Sequence, residues 1–316
     1  MTVPDRAGLT RRRFNERVLT ALLTLAAPVA GVSCASAGAS PAPTAASGGS
    51  RVPVVAAENF YGDLATQIGG DRVEVVSLLS DPNTDPHAYE SNAEAARAVA
   101  NARLVIKNGL GYDAFVDKLL AASPRPNRVV IDVGTLTGHQ EGDNPHIWYD
   151  PKTMPRVADQ LAATLTQLAP NGKASFAARL QAFAIAEKPV DERIGTIRAK
   201  YQGASVLATE PGFTYLAEAL GLTIVDRDGA FQRAVEAGND PPASAVARFR
   251  NLLTTRAVRV LIYNRQAITP ITTQMEDLAR QNGIPVVAVT ETEPPDKTYQ
   301  QWLLDELATL HQALGG

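Results

Sequence analysis

Along residues 51–316, short apolar runs alternate with stretches of helical periodicity, and the whole alternation occurs twice. Strand followed by helix, repeated, selects βα units and largely parallel sheets. Strands are predicted at residues 52–57, 73–79, 104–108 and 129–133, with helices near 60–68, 92–102 and 112–122. The second half repeats the order, with strands at 205–208, 223–225, 258–263 and 285–290 and helices near 212–219, 243–255, 271–281 and 299–314. Between the halves Phe176, Leu180, Phe183, Val190, Ile194, Ile197 and Tyr201 recur at spacings of three, four or seven, which makes one apolar face of a long helix. Pro189 lies within that stretch and is expected to kink it or split it in two. The expected fold class is α/β: two lobes with mostly parallel sheets joined by a long linker helix. The first lobe is assigned to 51–172, the linker to 173–202 and the second lobe to 203–316.

The first 50 residues stand outside this pattern. Arg11, Arg12 and Arg13 precede an apolar stretch from residue 18 to 32, too short and too poorly flanked for a good membrane span. Residues 1–33 read as an export signal, and the arginine run is also compatible with twin-arginine export. The chain's one cysteine, Cys34, follows Gly31-Val32-Ser33. That context resembles a bacterial lipobox, departing from it at Gly31; ordinary cleavage after Ala35-Ser36-Ala37 is the alternative. Lipidation of Cys34 is favoured, since a lone exported cysteine has no disulfide partner. Residues 34–50 are almost all Ala, Ser, Gly, Pro and Thr and read as a flexible tether to the membrane surface. Removing residues 1–33 takes away five Lys/Arg and two Asp/Glu and leaves the remainder at about −6. That balance gives no reason to expect nucleic acid as a partner.

Chemistry is concentrated in a repeated tripeptide. Only four histidines occur, and two of them sit in Asp85-Pro86-His87-Ala88-Tyr89-Glu90 and Asn144-Pro145-His146-Ile147-Trp148. Proline fixes its own φ and drives the preceding residue out of the helical region, so each imidazole is presented from a stiff turn. Both follow predicted strands of the first lobe, where ligands of open α/β sheets collect. The second lobe offers acids in the equivalent place: Glu210 after strand 205–208, Glu291 at the end of strand 285–290, and Asp296 shortly beyond. Two imidazoles with one or two carboxylates suit a first-row transition metal. Each acid also has a plainer explanation, Glu210 as a helix N-terminal charge, Glu291 as a solvated strand end and Asp296 as an N-cap. His139 and His311 are read as surface residues, and the Trp148 and Trp302 indoles as packing.

In this order, Asp-Pro-His-x-Tyr-Glu, Asn-Pro-His-x-Trp and Glu-x-x-Phe-x-Tyr-Leu resemble the zinc/manganese solute-binding proteins of ABC importers, the TroA-like family, many of them lipoproteins. The resemblance extends to Ala56-Ala57-Glu58-Asn59-Phe60-Tyr61, Asn108-Gly109-Leu110-Gly111-Tyr112 and Ile284-Pro285-Val286-Val287, and so spans the chain beyond the tether. It implies two α/β lobes joined by one rigid helix with the metal between them. It implies His87 as first ligand, His146 as second and Glu210 as third. For the fourth, Glu291 is preferred as better placed at a strand end. Asp296 is its rival: it precedes Thr298-Tyr299 by one residue more than the family's pattern. The His-rich loop of many zinc-specific members is absent, with only His139 in its place.

The expected function is therefore that of an extracytoplasmic receptor. It captures Mn²⁺, Zn²⁺ or Fe²⁺ and delivers it to a membrane permease with its cytoplasmic ATPase. A monomer, periplasmic or at the cell surface and without enzymatic activity, is expected. The competing reading is an exported metallohydrolase with the same ligands, an open coordination position and Glu90 or Asp150 as base. The chain lacks a His-Glu-x-x-His arrangement or a Gly-x-Ser-x-Gly elbow. An adhesin role is a third possibility.

Overall fold

The computed structural model describes residues 51–82, 86–226 and 229–316. The export signal, Cys34, the tether and Asp85 lie outside the described residues. No helix among the described residues is long and apolar enough to cross a membrane.

The first lobe runs β1 (Val52–Glu58), α1 (Asn59–Gly69), β2 (Val73–Leu79), α2 (Ala93–Asn101), β3 (Leu104–Lys107), α3 (Ala114–Ala122), β4 (Val129–Asp132), α4 (Val133–Thr137) and α5 (Thr153–Leu168). Helix α6 (Lys173–Tyr201) leads to the second lobe. There follow β5 (Ser205–Ala208), α7 (Thr214–Ala219), β6 (Thr223–Ile224), α8 (Ala230–Glu236), α9 (Ala243–Thr254), β7 (Val260–Asn264), α10 (Pro270–Gln281), β8 (Val286–Val289) and α11 (Tyr299–Ala313). Each lobe holds a four-stranded sheet with every pair parallel, ordered β2-β1-β3-β4 and β6-β5-β7-β8. The two sheets thus share one topology. Parallel strands need crossover helices that cover both faces. Accordingly, the central strand β7 is buried at all five positions and β1 at six of seven.

Helix α6 is unbroken from Lys173 to Tyr201 with Pro189 inside it, so of the two expected effects, a kink or a split, the split does not occur. Proline removes one helix hydrogen bond. Burial of Phe183, Val190, Ile194 and Ile197 on either side of it holds the helix together. Helix α5 was not anticipated. Pro155 in Thr153-Met154-Pro155 suggests a loop, yet it falls in the first turn, where its missing N–H would have no helical partner in any case. The predicted start of α3 at Tyr112 is also displaced, to Ala114. Gly109, Leu110 and Gly111 have φ of 78°, 58° and 81°, and this left-handed run keeps Tyr112 off the helix.

The lobes meet along an aromatic seam. Phe60 of α1 lies 4.9 Å from Trp148 and 5.9 Å from Trp302 of α11, and Tyr149 lies 5.8 Å from Trp302 and 5.7 Å from Phe213. Polar ties cross the same seam. The Asn59 side chain exchanges two hydrogen bonds with the Glu293 backbone (2.7 and 3.0 Å), and Asp63 accepts from the Tyr299 N–H (2.9 Å).

Candidate metal centre

The carboxyl ends of both sheets carry the candidate residues. His146 precedes a short 3-10 turn (Ile147–Tyr149) and is held by an Asx turn. Asn144 Oδ1 accepts from the His146 backbone N–H at 3.0 Å and lies 2.7 Å from ring Nδ1. The Asn144 amide group donates to Pro211 O at 2.9 Å, which fixes which end of the side chain is oxygen. Nδ1 therefore carries a proton, and Nε2 is the ring nitrogen turned to the cluster. That Nε2 is buried and makes no hydrogen bond. His87 sits on the 3-10 turn Pro86–Ala88 after β2, with its side chain 25% exposed.

Both imidazoles face one oxygen. His87 Nε2 and His146 Nε2 each stand 3.4 Å from Glu291 Oε2. The imidazole ring centres are 5.9 Å apart, and one donor atom from each of the three residues lies within 4.8 Å of the others. Donors bound about 2.0–2.2 Å from a common tetrahedral ion stand roughly 3.3–3.6 Å apart, so this spacing fits a single small cation.

Glu291 is fixed from several sides. Asn264 Nδ2 donates to Oε1 at 2.7 Å, the Tyr112 hydroxyl donates to Oε2 at 2.9 Å, and the Glu291 backbone N–H donates to Gln266 Oε1 at 2.6 Å. Burial alone would raise the carboxyl pKa. The facing His146 and His87 outweigh that and hold it well below the usual carboxylate range. A carboxylate kept ionised while buried needs a positive partner, which an imidazolium or a metal can supply.

Glu210 is buried at the start of the 3-10 turn Pro211–Phe213 after β5. It lies outside the three-residue group but is tied to it, because Asn264 Nδ2 donates to Glu210 Oε2 as well as to Glu291. Asp296 is exposed, has φ of 62° and does not join the group; the cap of α11 is Thr298. Gly212 closes the second lobe onto His146, since a Cβ there would stand 3.3 Å from the imidazole Cδ2. Tyr112 and Trp148 sheathe the imidazoles, with Trp148 centred 5.0 Å from His146 and Tyr112 5.1 Å from His87.

Several of these residues escaped the sequence. Asn264 ends β7 as Glu210 and Glu291 follow β5 and β8, so strand-end position was the signal that could have found it. Gln266 and Tyr112 carry no such mark. Glu236, at the end of the unanticipated α8, places Oε1 3.8 Å from His146 Nδ1.

Comparison with known proteins gives a consistent picture. The family model described as zinc-uptake complex component A, periplasmic (ZnuA), matches residues 54–313. Among curated relatives, the metal ABC transporter substrate-binding lipoprotein SsaB of Streptococcus sanguinis is 28% identical over 152 residues, 44% of this chain and 49% of that protein. The manganese-binding lipoprotein MntA of Halalkalibacterium halodurans is 24% identical over 185 residues, 56% of this chain and 60% of that one. The chain thus spans about half to three-fifths of the length of these two relatives. The periplasmic zinc-binding protein TroA from Treponema pallidum has the same fold, with a TM-score of 0.70 at 17% identity, covering 84% of this chain and 99% of that one.

Proposed function

Since this chain belongs to the family of periplasmic component A of zinc-uptake complexes, we propose that it is an extracytoplasmic receptor for a divalent transition metal. It takes the ion between its lobes and delivers it to the membrane permease and ATPase of an ABC importer. The observation that carries this reading is the convergence of His87 Nε2 and His146 Nε2 on Glu291 Oε2, 3.4 Å from each, in a site where His146 and Glu291 are sealed from water. His87, His146, Glu210 and Glu291 are the ligands, with Glu210 brought to the ion through Asn264 and Glu291 taking the fourth place over Asp296. The imidazoles bind as neutral donors and the acids as carboxylates, so the ion displaces protons on entering.

The cargo is Mn²⁺, Zn²⁺ or Fe²⁺. A sulfur-free set with two carboxylates accepts all three, and the Irving–Williams order favours zinc wherever zinc is free. The relatives divide the same way, one named for manganese and another for zinc. Cys34 is the lipidated anchor residue and residues 34–50 the tether of a monomer, with lobes over 51–172 and 203–316 about the 173–202 linker.

Titration calorimetry of the purified protein with Mn²⁺ and Zn²⁺ tests the proposal. One saturable site is expected, with no turnover of ester, phosphate or peptide substrates. Absence of saturable binding, or metal-dependent hydrolysis, overturns it.

A further inference from the structure

The buried donors cannot be the first groups an incoming ion meets. The His146 side chain is 0% exposed and that of Glu291 3%, and Glu210 is 5% exposed. Among the described residues around the centre, His87 (25%) and Glu236 (21%) are the ionisable side chains that reach both water and the cluster. They belong to opposite lobes, His87 to the turn after β2 and Glu236 to the last residue of α8. Glu236 approaches His146 from the Nδ1 side, 3.8 Å away, whereas Glu291 approaches from Nε2. Burial raises its carboxyl pKa, the facing His146 and His87 oppose that rise and Glu291 adds to it, so Glu236 faces the whole cluster without joining the three-donor group.

We propose that Glu236 and His87 form an outer capture site for the hydrated divalent cation, through which it passes to the buried donors. The proposal rests on the metal-receptor reading. A carboxylate at the rim of a low-dielectric cleft concentrates cations locally and raises their rate of arrival. An imidazole opposite it offers the first inner-sphere donor as hydration water is shed. Because the ion settles on Nε2 of His146 and on Glu291 and not on Glu236 itself, removing this carboxylate acts mainly on the rate of entry, and affinity falls with it. Arg233, one turn earlier on α8, also interacts with Glu236 and works against capture.

Stopped-flow binding of Mn²⁺ and Zn²⁺, followed through Trp148 fluorescence, tests this. Glu236→Gln keeps the shape and removes the charge. It should lower the association rate about tenfold at low ionic strength and only about twofold near 0.5 M salt, because screening already suppresses the attraction in the wild type. Kd should rise in step with the slower association, with the dissociation rate changed by less than about threefold. Arg233→Gln should raise the association rate. An unchanged rate in Glu236→Gln, or a salt-independent loss, overturns the capture site while wild-type binding leaves the receptor reading standing. A large loss of affinity through faster dissociation also overturns it, making Glu236 a ligand. No binding by the wild type defeats both.

Discussion

Glu291 and Glu293 lie two residues apart in one loop, both buried, and their carboxyls go opposite ways. At the candidate metal centre Glu291 faces His146 and His87, which hold its carboxyl well below the usual range. In the seam between the lobes, burial and the neighbouring Asp63 push the Glu293 carboxyl up to about 9. Glu187 of α6 is similar: burial pushes it up to about 7, with Asp191 adding to the rise and Gln300 opposing it. The contrast teaches that burying an acid does not make a cation site. What separates the regions is the company each carboxyl keeps: two imidazoles in one, another acid or apolar surface in the other. Negative charge survives at one place in the junction and is suppressed in the seam.

The strongest way to break this contrast is to remove the imidazoles. The double variant His87→Ala, His146→Ala should lose Mn²⁺ and Zn²⁺ affinity by more than about a thousandfold, roughly 4 kcal/mol, by calorimetry. Unchanged binding would mean that the centre lies elsewhere. Next, Glu291→Gln should weaken binding by about a hundredfold while Asp296→Ala stays within about twofold. The reverse order would return the fourth place to Asp296. Asn264→Ala removes the amide that holds Glu210 and Glu291 together, and about a tenfold loss is expected with both carboxylates still present.

The smallest effect belongs to the seam and concerns stability. A carboxyl whose folded pKa is raised keeps its proton in the native state after the unfolded chain has released it. Its contribution is therefore full below the unfolded value near 4.5 and falls as pH rises to about 7 for Glu187. Glu187→Gln, always neutral, should melt about 2–4 °C above wild type at pH 8, reflecting about 1–2 kcal/mol, and match it near pH 4. Metal affinity should be unaffected. An equal shift at both pH values would show that packing, and not charge, limits this helix.

Local features were legible in the sequence, and assembled ones were not. The Asx-Pro-His turns announced both histidines because proline and Asn144 act within two residues of them. The strands were legible because parallel sheets bury continuous apolar runs. Helix α5 carries a readable stripe in Met154, Val157, Leu161 and Leu165, all buried, and only Pro155 disguised it. What fixes Glu291, and not Asp296, against the imidazoles is Asn264, Gln266 and Tyr112, which arrive from 27, 25 and 179 residues away. No local pattern encodes such a convergence. Glu236 was invisible for a related reason: its helix starts from a left-handed Gly229 without a capping side chain and gives no start signal.

Anomalous diffraction from crystals grown with Mn²⁺ or Zn²⁺ tests the central claim most directly. The account predicts one principal peak, about 2.0–2.2 Å from His87 Nε2, His146 Nε2 and a Glu291 oxygen, with Glu210 completing the shell. A principal peak that touches neither imidazole, or one that recruits Asp296 in place of Glu291, would contradict it.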